Sequence, residues 1–137
     1  MSFEDFVQAA WADHGGQTQG VAQRLRDSLH RVIEADQVAP YAGLVAHVFG
    51  EHLGEWDDGI TLLHALRDRP AGHANAQTLA VLARQEATLR HAAGDAPPFD
   101  ALGNDDRITA LASAASMLAA RADWTRAILS LEQALSG

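Results

Sequence analysis

The chain contains no cysteine and no lysine. The first absence excludes disulfides and thiolate metal ligands, and it fits a reducing compartment. The second leaves arginine as the only permanent side-chain cation: ten arginines stand against eighteen acidic residues, for a formal charge of −8. Phosphate backbones are bound by basic surfaces that release counterions, so this balance argues against nucleic acid as a partner. The densest basic run, Arg24, Arg26 and Arg31, is interrupted by Asp27 and followed by Glu34, and reads as a solvated helix face. Long apolar runs are missing too. The start, Met1-Ser2-Phe3-Glu4-Asp5-Phe6, is acidic and already patterned, unlike a signal peptide, and no later segment is expected to span a bilayer. The expectation is a cytoplasmic protein with no membrane association.

What the chain does have is helical periodicity. Its 137 residues are enough for one domain with its own core, so a single domain over 1–137 is expected. Ser2 is placed to cap a first helix whose face carries Phe3, Phe6, Val7, Ala10 and Trp11, and Gly15-Gly16 ends it. A second helix is expected over 19–35 on the stripe Val21, Leu25, Leu29 and Val32, and a third over 40–53, opened by Pro40. Gly54 turns the chain into a fourth, over 55–69, ended by Pro70 and Gly72. The fifth, over 74–93, is the longest, with Leu79, Leu82 and Leu89 inward and Glu86 and Arg90 paired along it. Pro97-Pro98 forbids a helix before Asn104, and Phe99 and Leu102 are expected to plug the core from that loop. Asn104 or Asp105 caps the sixth helix and Asp123 the seventh. On the seventh, Trp124, Ala127, Ile128, Leu131, Ala134 and Leu135 form the expected packed side, with Arg126, Ser130 and Gln133 facing out and Leu129 as an outlying contact point.

Two stretches repeat. Gly54-Glu55-Trp56-Asp57-Asp58-Gly59-Ile60 returns as Ala122-Asp123-Trp124-Thr125-Arg126-Ala127-Ile128, 68 residues later, or two periods of 34. With Gly54 at the turn, Trp56 at the aromatic site, Gly59 at the helix crossing, Leu63 and Leu66 at packing sites and Pro70 as terminator, residues 40–70 resemble the tetratricopeptide-repeat family. Residues 108–135 are similar through Ala114, Ala115, Trp124, Ala127, Leu131 and Ala134. The resemblance implies an all-α fold of about seven antiparallel helices, stacked as helix-turn-helix pairs in a right-handed solenoid fragment. It also implies a partner groove lined by the first helix of each unit. Position by position, that groove falls on Tyr41, Leu44, Val48, Glu51 and His52, and on Thr109, Ala112 and Ser116.

Catalytic chemistry is hard to find. There is no Gly-x-Ser-x-Gly turn, and Asp57-Asp58 and Asp105-Asp106 stand at helix starts, where capping and the helix dipole account for them. Trp11, Trp56 and Trp124 lie on apolar stripes and are assigned to the core. The one cluster with ligand-like spacing is His47-Val48-Phe49-Gly50-Glu51-His52, with His64 as the nearest further ligand, but its register does not match the known metallohydrolase patterns. The expected function is therefore a protein-interaction scaffold or chaperone-like adaptor that holds a peptide or helix, without cofactor or metal, as a monomer or weak homodimer. A narrower form is the small acidic helical chaperone of bacterial secretion, which resembles the chain in size and charge. The competing reading is a metal-dependent helical-bundle enzyme using His47, Glu51, His52 and His64.

Overall fold

A computed structural model of the chain, described for residues 1–95 and 99–136, contains seven helices and no strand among those residues. Helix α1 (Phe3–Asp13) starts where Ser2 accepts a hydrogen bond from the Asp5 N–H at 3.1 Å, with Glu4 and Asp5 against the positive end of the dipole. It buries Phe6 and Ala10 and leaves Trp11 42% exposed, against the core placement expected for that tryptophan. Helix α2 (Thr18–Asp27) ends eight residues short of the expected limit, at Ser28, and Leu29–Arg31 form a single 3-10 turn. Of the six residues Ser28–Ile33 only Leu29 and Arg31 are strong helix formers, and Val32 reaches the core from extended backbone instead.

That early stop matters to the next helix. The last carbonyls of a helix lack intrahelical donors. One of them, on Leu25, accepts from the hydroxyl of Tyr41, which is completely buried on α3 (Val38–Val45). Helix α3 continues without a break as a π-helical segment, Ala46–Leu53, and the combined rod is the hub of the core, touching α1, α2, α4, α5 and α6. Its Gly50 is buried where a Cβ would come within 2.8 Å of Leu89 Cδ2 and Met117 Sδ, so glycine is what lets α5 and α6 close on it.

Helices α4 (Trp56–Asp68), α5 (Ala76–Ala92), α6 (Asn104–Ala120) and α7 (Trp124–Leu135) follow the expected limits within two residues. Asn75 caps α5 by accepting from the Thr78 N–H at 2.9 Å, and Asp123 caps α7 by accepting from the Arg126 N–H at 3.3 Å. The Glu86–Arg90 pair forms at 3.4 Å. Gly103, not Asn104 or Asp105, holds the N-cap position of α6. Trp56 is half-buried, with the Arg121 guanidinium 5.5 Å from its ring centre, and Leu79 is exposed. Phe99 and Leu102 are half-buried, Phe99 stacking edge-on to His91, while Pro97 and Pro98 lie outside the described residues.

The repeated stretch folds alike in both copies at its turn. Gly54 takes φ +63° and Ala122, 68 residues on, takes φ +59°. After each, the next N–H reaches back over the helix end, Glu55 to the Phe49 carbonyl at 2.8 Å and Asp123 to the Leu118 carbonyl at 2.9 Å. The first span is one residue longer because the helix it closes is π-wound. A non-glycine residue in the left-handed region carries about 1–2 kcal/mol of strain, partly offset against glycine by its smaller unfolded-state entropy. Ala122→Gly should therefore stabilise the fold by about 0.5–1 kcal/mol in denaturant titrations; a destabilisation would mean the turn is unstrained.

Candidate functional site

The π segment is what gathers the imidazoles. In an α-helix, residues five apart point to different faces, whereas i→i+5 bonding brings residue i+5 back over residue i. His47 and His52 are five apart, and their Nε2 atoms lie 3.1 Å from each other. His14, at the C-terminal cap of α1, completes the group: its ring centre is 5.0 Å from that of His47 and 4.9 Å from that of His52. Trp11 packs against two of the three rings, 5.3 Å from His14 and 5.0 Å from His47.

Two acceptors fix the tautomers. The Glu51 carboxylate accepts from His47 Nδ1 at 2.9 Å, and the Trp11 carbonyl accepts from His14 Nδ1. Neither acceptor can donate, so in the neutral rings both Nδ1 atoms carry the proton and both Nε2 atoms keep the lone pair. Burial holds His47 below the ordinary imidazole range, Glu51 pulls it back up, and His52 and His14 push it down again. Each of the three histidines offers one ring nitrogen, and these atoms lie within 4.8 Å of one another, which makes the trio a group able to hold a metal among the described residues.

This set differs from the expected one. His64 is on α4, where its Nε2 is bonded to Glu86, so His47, Glu51, His52 and His64 do not assemble. Glu51 stands behind His47 rather than beside it. His14 escaped the sequence reading because 33 residues separate it from His47, and local spacing carries no information across that distance.

The expected groove is also redrawn. Tyr41, Leu44 and Val48 are completely buried, since this face of the hub helix packs among the neighbouring helices as core. Glu51 is half-buried, and His52, Thr109, Ala112 and Ser116 are exposed. Glu51 and Ser116 line one cavity of about 330 Å³ together with Trp11 and His47, and Thr109 lies outside it.

A second surface stands out on α7. Its buried face is Ala127, Ser130 and Ala134, with the Ser130 hydroxyl donating to the Leu111 carbonyl at 2.7 Å. Trp124, Ile128, Leu131 and Leu135 point outward, 61%, 55%, 47% and 88% exposed, with Leu129 beside them. Ala127 and Ala134 are buried and Gln133 is exposed as expected, but Ser130, expected to face solvent, is buried, and the large side chains expected to pack are exposed. The alanine-rich face of α6, with Ala114 and Ala115 buried, admits small residues at close approach, so α7 turns its small side inward. Comparison with protein-family models, curated proteins and solved structures finds no match to this chain.

Proposed function

We propose that the chain is a protein-interaction module, an adaptor or chaperone-like holder that acts by binding rather than catalysis, and that its contact surface is the outward face of α7. The observation that carries this reading is the stripe Trp124, Ile128, Leu131, Leu135. A contiguous exposed apolar strip marks an interaction site, and spacings of four, three and four residues present the seam that another helix packs into. The twin turns at Gly54 and Ala122, with buried Gly59 and Ala127 at corresponding crossings, support reading the helices as tetratricopeptide-like pairs in a right-handed solenoid fragment. A partner's helix would stack on the outward face of α7 as neighbouring helices stack in such an array.

The charge of −8 favours an amphipathic helix with basic flanks and opposes pairing with a second acidic copy. Two arginines of the basic run are engaged by acids, Arg24 with Asp13 at 2.9 Å and Arg26 with Asp58 at 3.6 Å. A synthetic basic amphipathic peptide with leucines at alternating three- and four-residue spacing is the probe. Its binding should blue-shift the emission of the exposed Trp124, and Ile128→Asp with Leu131→Asp should abolish both shift and binding while the circular dichroism spectrum is kept. Binding undiminished in the double variant, or no binding by the wild type, sinks the assignment. Sedimentation that shows a wild-type dimer broken by the same substitutions would make the occupant a second copy.

A further inference from the structure

The structure assigns a divalent transition-metal site to His14, His47 and His52, independent of the α7 surface. The donor set is three neutral imidazole nitrogens with no thiolate and no oxygen ligand, which suits zinc and its borderline neighbours and disfavours magnesium and calcium. Tetrahedral zinc with bonds of about 2.0–2.1 Å needs ligand nitrogens about 3.4 Å apart. His47 and His52 already hold their Nε2 atoms 3.1 Å apart, and no pair in the group exceeds 4.8 Å. The remaining closure falls within the reach of side-chain rotation at His52, which is exposed.

The outer contacts are those a metal site requires. A ligating histidine ordinarily donates its other N–H to a carboxylate or a backbone carbonyl, which orients the ring and raises its basicity. His47 has Glu51 in that role and His14 has the Trp11 carbonyl. The Nε2 of His47 and of His14 is thereby the free donor atom, and His52 joins by moving its proton to Nδ1. Winding matters here as well: an eight-residue π segment is long for a form that usually occupies one turn, and here it is what sets His47 against His52. Three protein ligands leave a four-coordinate ion one position for water or a small anion. The ion would also tie the end of α1 to the hub helix.

The test is titration of chelator-stripped protein with zinc chloride by calorimetry, and with cobalt(II) by visible absorption. One equivalent of zinc should bind, and the cobalt form should show the intense visible bands of four-coordinate geometry. His14→Ala, His47→Ala and His52→Ala should each remove stoichiometric binding, Glu51→Gln should weaken it about 10–100-fold, and His64→Ala should leave it unchanged. Zinc should raise the melting temperature of the wild type but not of His52→Ala, whose exposed position keeps the fold intact. Absence of zinc binding by the wild type overturns the assignment, and so does binding that survives His52→Ala or is lost in His64→Ala.

Discussion

Tyr41→Ala is expected to cost about 3–5 kcal/mol of stability, the range for truncating a large buried aromatic, and to lower the melting temperature by on the order of 10 °C. The ring sits in the hub helix with no exposed surface, and its hydroxyl donates to the Leu25 carbonyl near the end of α2. Burial holds the phenol well above its ordinary range although the Arg69 guanidinium opposes this, so the group stays a protonated donor. Tyr41→Phe separates the two contributions. It keeps the packing, leaves the carbonyl only the 3.3 Å bond from the Ser28 N–H, and should cost about 1–2 kcal/mol. Denaturant midpoints at constant slope are the measurement. Equal losses in the two variants would mean that the ring contributes nothing, and a neutral Tyr41→Ala would restore the tyrosine to the surface role expected of a groove residue.

Gly72→Ala should cost about 3 kcal/mol, at the upper end of overpacking effects. A Cβ at this position would fall 2.0 Å from the Leu66 carbonyl oxygen, 2.7 Å from its carbon and 2.8 Å from Arg67 Cα. All three are backbone atoms of the preceding helix, so no rotamer change relieves the clash, and the 3-10 turn Pro70–His73 has to move. Gly50→Ala is the comparison. Its obstacles, Leu89 Cδ2 and Met117 Sδ at 2.8 Å, are the ends of flexible side chains, and the expected cost is about 1 kcal/mol. Thermal melts of the two variants should rank them in that order; a milder Gly72→Ala would show that the turn after α4 is free to shift.

These positions separate what was legible in the residues from what was not. The glycines at 54 and 59 announced a turn and a close approach, and those features are present: Gly54 takes φ +63°, and Gly59 would place a Cβ 3.0 Å from Leu89 and 3.1 Å from Phe49. Capping by Ser2 and Asp123 and the pairing of Glu86 with Arg90 were equally readable, because each is a contact within one turn of a helix. The candidate site was half legible. His47, Glu51 and His52 were singled out by proximity in sequence, but their arrangement was misjudged, since nothing in Ala46–Leu53 marks it as π rather than α.

Local chemistry was enough to state that the described chain is helical and, except for the early end of α2, nearly where each helix begins and ends, because caps, prolines and the 3.6-residue period act over a few residues. Which face each helix turns inward was decided only when the helices met. On α7 two faces were both able to pack, and the close fit of Ala127, Ser130 and Ala134 on the alanine-rich α6 sent the larger side chains outward. Tyr41 carries a hydroxyl that reads as surface until α2 stops early enough to offer it the Leu25 carbonyl. The meeting of His14 with His47 and His52 likewise depends on α1 docking on the hub helix and on the winding of that helix, two long-range outcomes of packing that no local pattern encodes.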